Sequence, residues 1–238
     1  MYRKFLTPQG ITNLKNHKYV AGVYSHLDNI LNPYWIKMTE LLPMWLAPNM
    51  ITFIGLLILM SQAVGYALYD ASLSVNQPRI LYLYSALGVF LYQTLDALDG
   101  KQARRIGKSS PLGQLFDHGC DCIGMGFILY SFIGALRIGD DPEICYLFFL
   151  GSSLAFYASN WAEFHTHVLV TSNGDFGVTE ILLGIVGMNV ISAVFGPDVW
   201  HFAIFGLLTR HQNLQDNGLA DFHNSHAQHR NDHERRLQ

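Results

Sequence analysis

Met50–Tyr69 reads MITFIGLLILMSQAVGYALY, a run with no charged residue, and about 20 apolar residues in a helix are what cross the hydrocarbon core of a bilayer. The same composition recurs further along the chain. Ile80–Leu95 is uncharged between Arg79 and Asp96, and Cys122–Leu136 between Asp121 and Arg137. Ile144–Ala162 and Ile181–Pro197 are also free of charge. The two shorter runs make sense if each helix continues through an acidic end set near one membrane face. Asp96 and Asp99 would form one such end, Asp117 and Asp121 the other. Internal Gly, Ser and Ala suit close helix packing in lipid. The reading is an all-α integral membrane protein, a bundle of five to six transmembrane helices.

Composition agrees. Half of the 238 residues are hydrophobic and 14% are charged, against about 25% charged in soluble domains. A net charge of −3 excludes a nucleic-acid binder driven by phosphate neutralisation. Cys120, Cys122 and Cys145 are odd in number and lie in apolar stretches, which argues for buried thiols rather than a disulfide framework. The opening MYRKFLTPQG has neither the apolar run nor the cleavage site of a signal peptide, so insertion is expected from the internal spans.

Three regions follow. Residues 1–47 form an N-terminal segment containing Leu31–Leu46, LNPYWIKMTELLPMWL. Trp35, Leu41, Leu42 and Trp45 set against Lys37 and Glu40 suggest an amphipathic helix at the interface, with a helix packed under the bundle as the plain alternative. Residues 48–209 form the membrane core, its first span opened by Pro48, a favoured place for proline. Val199–Thr209 is apolar for only 11 residues, about half a crossing. It reads as a short sixth span, and the chain as a C-terminally shortened form. Residues 210–238 form a polar tail expected to be disordered; its His223, His226, His229 and His233 lack the supporting fold of a metal site. Lys and Arg cluster before the first span (Arg3, Lys4, Lys15, Lys18, Lys37) and between the second and third (Lys101, Arg104, Arg105, Lys108). The positive-inside rule then puts both segments in the cytosol.

Between the second and third spans stands LDALDGKQARRIGKSSPLGQLFDHGCDCIG. On a helix Asp96 and Asp99 share a face, which Gly100 and Ala103 extend with small side chains, so that a helix or ligand can approach. Gly113, Asp117 and Asp121 recur every four residues and form a second stripe. Two such helices joined by a 12–17-residue turn would bring four carboxylates together. Near lipid that cluster needs cations. Oxygen ligands without thiolate favour Mg²⁺ or Mn²⁺, with Ca²⁺ open, over Zn²⁺. Four carboxylates suit two ions clamping an attacking and a leaving oxygen. The adjacent basic residues suit a diphosphate; Arg104 is the one assigned to substrate, while Arg105 and Lys108 read as orientation signals. His118 is the histidine beside the cluster, and a neutral imidazole is a competent base near neutral pH. Asn49, at the start of the first span, reads as a helix cap, a role that leaves room for another.

Asp96, Asp99-Gly100, Ala103-Arg104, Gly113, Asp117 and Asp121 match, without a departure, the pattern D-x2-D-G-x2-A-R-x8-G-x3-D-x3-D; in this the chain resembles the CDP-alcohol phosphotransferases. LAPNMITFIG, KQARR, SPLGQLFDHGCD and the later VTE at Val178–Glu180 look like the eukaryotic choline/ethanolamine branch, over about Trp45 to Glu180. The resemblance implies a six-helix catalytic core in endoplasmic reticulum or Golgi membranes. It implies transfer of phosphocholine or phosphoethanolamine from CDP-choline or CDP-ethanolamine to diacylglycerol, releasing CMP, in phosphatidylcholine or phosphatidylethanolamine synthesis. Asp96, Asp99 and Asp117 would hold the metals, Asp121 would complete the second or act as base, and His118 would be the catalytic base. Asn49 matches an asparagine that contacts the CDP part; Gly100, Arg104 and Gly113 would lie along the substrate. Gln114 departs from the glutamate of the resemblance, which touches substrate positioning rather than the reaction.

Two other classes fit less well. A transporter or channel would carry its acids mid-span, without the Gly/Ala-Arg spacing. A short form that keeps the motif could instead modulate a longer phosphotransferase. Pairing of two copies is left open, and the residues do not choose the head group.

Overall fold

The computed structural model describes residues 7–16 and 19–200 of the chain. Seven helices build its first unit: α1 (Pro8–Asn16), α2 (His26–Leu41), α3 (Pro48–Asp70), α4 (Arg79–Arg105), α5 (Pro111–Leu136), α6 (Pro142–Thr166) and α7 (Val178–Phe195). Of a second unit, which begins at Pro197, the described part is the single turn α8 (Asp198–Trp200). Most of the expected short sixth span and the whole polar tail lie outside the described residues.

Each of the five expected spans falls on one helix. α3, α5 and α7 are by themselves long and apolar enough to cross a membrane. α4 has 27 residues, about 40 Å at 1.5 Å per residue. That exceeds a hydrocarbon core of about 30 Å, so its charged last third extends beyond the apolar stretch. The expectation that both short runs continue through their acidic ends therefore holds.

The 12–17-residue turn does not. α4 runs on to Arg105, and α5 starts at Pro111, so the connection is five residues. Gly107 turns it at φ +66. Ser110 then caps α5 by accepting from Gly113 N at 3.1 Å, and Pro111 takes the first turn, where no N–H is required.

The helix expected over Leu31–Leu46 also moves: α2 spans His26–Leu41. Ser25 and Asp28 form a capping box at its start. Pro43 ends it, because a residue preceding proline is driven out of the helical region, and Leu42 is extended at φ −69, ψ 136.

The core lies between α3, α4, α5 and α7. Leu59, Val89, Tyr92, Ile128, Leu182 and Ile185 form one buried group; Tyr66, Leu73, Tyr82 and Ala193 form a second. Trp35, Ile51 and Leu98 pack the middle of α2 under the ends of α3 and α4. Gln62, Tyr66, Ser85, Ser131 and Asn189 join the four helices by hydrogen bonds, the kind of polar contact that holds helices together in lipid. α6 lies outside this core with no buried residue and leaves Tyr146, Leu147, Phe149, Leu154 and Trp161 on its surface. A face of that composition suits lipid and not water.

Candidate active site

The two acidic stripes meet. Asp96 and Asp99 on α4 and Asp117 on α5 each offer a carboxylate oxygen within 4.8 Å of the others. Asp121 stands just outside this triplet. It accepts from the Tyr92 hydroxyl at 2.5 Å. Asp99 is 5% exposed and accepts from the Thr52 hydroxyl on α3. Thr52 and Tyr92 thus hold one carboxylate of each pair from the core side.

One atom in the cluster is orphaned. Among the described residues Asp117 Oδ1 is buried without a hydrogen-bond partner, a costly state for a carboxylate oxygen. Four convergent carboxylates, one of them with an unpartnered oxygen, fit a hard divalent cation bound through oxygen. The thiols take no part in this donor set: Cys120 is buried and Cys122 exposed.

The glycines leave room beside the cluster. A Cβ on Gly113 would stand 3.6 Å from Asn49 Oδ1, and one on Gly100 would stand 3.5 Å from the Arg104 guanidinium. Asn49 and Gly113 are therefore neighbours, and Arg104 folds back over Gly100. Asn49 is not the cap of α3: Ala47 occupies that position, without a side-chain bond. The exposed Asn49 amide stands instead beside Gly113 on α5.

The basic residues divide by face. Arg105 Nη1 donates to Thr39 O at 2.7 Å and Leu42 O at 2.8 Å, and Nη2 donates to Glu40 O at 3.2 Å. It closes the C-terminal end of α2, a role the sequence reading missed. Lys101 Nζ sits 5.1 Å over the Trp35 ring. Both turn toward α2, so of the four cations expected beside the carboxylates Arg104 is the one placed at Gly100.

His118 has partners that sequence did not supply. Its Nδ1 is 3.2 Å from Asn160 Oδ1 and 3.9 Å from Glu163 Oε2, both on α6. Asn160 Nδ2 donates to Phe156 O at 2.9 Å, which directs Oδ1 toward the ring. Nδ1 then carries the proton, and Nε2 is left as the basic atom. Gln114 Nε2 donates to Glu163 Oε1 at 2.6 Å, so the departure at 114 supplies a donor where a glutamate would set two carboxylates face to face. The available signal was Asn160 and Glu163 themselves, polar side chains one turn apart on a helix that otherwise reads as a membrane span.

A model of the CDP-alcohol phosphatidyltransferases matches residues 45–207. The chain is 39% identical over 201 residues to cholinephosphotransferase 1 of Xenopus laevis, covering 84% of this chain and 49% of that one. It is 38% identical to the Gallus gallus protein of the same name, covering 84% and 59%. To choline/ethanolaminephosphotransferase 2 of Arabidopsis thaliana it is 35% identical, covering 82% and 50%. The chain thus spans about half the length of the curated relatives it matches. With the family's model covering the whole of α3 to α7, the chain belongs to the CDP-alcohol phosphatidyltransferase family.

Proposed function

We propose that this chain transfers phosphocholine or phosphoethanolamine from CDP-choline or CDP-ethanolamine to diacylglycerol and releases CMP. The observation that carries the reading is the convergence of Asp96, Asp99 and Asp117, with His118 next to Asp117 on α5 and its Nδ1 held by Asn160. The names of the relatives support the choice of substrates.

The four aspartates would hold two Mg²⁺ ions, or Mn²⁺. Such a centre, when loaded, neutralises a diphosphate and polarises its oxygens. The chain's own residues do the rest. Arg104, over Gly100, meets the diphosphate; Asn49, beside Gly113, meets the nucleotide. His118 takes the proton of the acceptor hydroxyl at Nε2. That oxygen bonds to the β-phosphorus, the bond from the β-phosphorus to the bridging oxygen breaks, and CMP leaves with that electron pair. Phosphoryl transfer of this kind depends chiefly on positioning and charge. All the cluster's residues come from α4 and α5 of one chain, so a second copy is not needed to complete it. The basic residues flanking the first three spans support a cytosolic opening, in endoplasmic reticulum or Golgi membranes.

The test is transfer of labelled head group from CDP-choline and from CDP-ethanolamine by the purified chain, with diacylglycerol and Mg²⁺. Transfer of either label supports the reading. Binding of the CDP-alcohol without transfer favours a modulating form, and no binding of CMP or CDP-alcohol overturns the assignment.

A further inference from the structure

The charged end of α4 carries cations that the carboxylate cluster does not use. Asp99 faces Thr52 on α3, and Lys101 and Arg105 follow it by two and six residues. At about 100° per residue those positions lie on the far side of the helix, toward α2.

Between α2 and this end of α4 lies a cleft of about 350 Å³. Lys101, Arg104 and Arg105 line it from α4; Asn32, Ile36 and Glu40 line it from α2. Three cations thus face one carboxylate, and among the described residues none of the three forms an ion pair. The partners of two of them are neutral. Arg105 serves backbone carbonyls of α2, and Lys101 sits over the Trp35 ring. Such contacts orient a cation without cancelling its charge, so the cleft attracts an anion.

The walls of the cleft are held in place by the fold. Thr179 Oγ1 donates to Asp28 Oδ1 at 2.5 Å, and Leu27 N donates to Glu180 Oε1 at 3.1 Å, which ties the first turn of α2 to α7. Trp35 packs the middle of α2 against α3 and α4, and Arg105 closes its end. A site built in advance spends less on ordering when a ligand binds.

Depth selects the kind of anion. Lys101 lies six residues past Leu95, where the uncharged run of α4 ends. That is about 9 Å along the axis, beyond the hydrocarbon and at the level of the headgroups. Ile36 on the wall is exposed, as are Leu41 and Trp45 just past Glu40. An anion that brings acyl chains suits such a rim, and basic pockets between helices at a membrane surface hold lipid headgroups.

We propose that this cleft binds the phosphate of an anionic phospholipid, apart from the carboxylate centre, with Lys101, Arg104 and Arg105 as its counter-charge and Asn32 as a neutral donor. Because Arg104 also stands at the candidate active site, the test variants are made at Lys101 and Asn32.

Short-chain phosphatidic acid, zwitterionic short-chain sphingomyelin and inorganic phosphate are each titrated into the whole chain in uncharged detergent. EDTA is present, so that no metal ion on the aspartates can bridge to a phosphate. Phosphatidic acid should bind tightest, and more weakly as salt rises. Lys101→Gln should weaken it about fivefold, and Lys101→Arg should restore it. Asn32→Asp, which adds a carboxylate to the cleft, should weaken it as much. CMP binding with Mg²⁺ should stay at the wild-type value in all three variants, which also reports that they are folded. Parallel losses for CMP would assign Lys101 to the nucleotide and overturn the proposal. So would equal binding of sphingomyelin, inorganic phosphate bound as tightly as the lipid, or Lys101→Gln and Asn32→Asp variants that bind phosphatidic acid as wild type does. Phosphatidic acid that binds only when Mg²⁺ replaces EDTA would be held by the aspartates and not by the cleft.

Discussion

His118 and Asn160 stand 42 residues apart in the chain and 3.2 Å apart in space, Nδ1 to Oδ1. The amide is oriented by its own bond to Phe156 O, so the imidazole on α5 is held by a helix that contributes nothing to the buried core. This pairing places the basic nitrogen on the opposite side of the ring from α6.

His118→Ala should lower turnover by roughly 10²–10⁴, the usual worth of a general base, with CDP-alcohol affinity little changed. Asn160→Leu keeps the imidazole but removes the partner that selects its tautomer, and should cost about tenfold or more in kcat rather than KM. Steady-state kinetics on both variants separate the effects. If Asp121→Asn instead leaves metal affinity intact and removes turnover, the base is Asp121.

Asp99→Asn should abolish transfer while the protein still inserts and elutes as wild type. Asparagine can still accept from Thr52, so the packing contact survives and the anionic ligand does not. Activity above about a tenth of wild type at saturating Mg²⁺ would count against the two-ion assignment.

Gln114→Glu replaces a donor 2.6 Å from Glu163 Oε1 with a second carboxylate, and should reduce both thermal stability and transfer. Adding Glu163→Gln restores one donor and one acceptor with the positions exchanged. A double-mutant cycle should return a coupling of about 0.5–3 kcal/mol; additive losses would show that the contact does not matter.

Arg105→Met removes a guanidinium that serves three carbonyls at the end of α2. Those acceptors lose their charge-assisted donors, at about 1–3 kcal/mol, read as a lower unfolding temperature in detergent. Arg105→Lys should rescue poorly, because an ammonium cannot present the planar fork. Full rescue by lysine would make Arg105 only a topogenic charge.

The membrane class, the helices that carry the five expected runs and the metal-ligand candidates were legible in the amino-acid sequence alone. Those properties are local: uncharged length sets whether a helix crosses a bilayer, and three- and four-residue spacings set which carboxylates share a face. The continuation of both helices through their acidic ends was legible for the same reason. The start and end of α2 were not read correctly, although Ser25 and Pro43 carried the signal, because the aromatic and charged residues of 31–46 drew the reading toward the interface. Only the tertiary structure decided what each polar side chain meets. It sent Arg105 and Lys101 to α2 instead of the carboxylates, gave His118 its partner on α6, and tied Gly22, Leu27 and Asp28 to Leu169, Glu180 and Thr179. These contacts join residues tens to more than a hundred positions apart, and no local pattern encodes them; they exist because the helices pack.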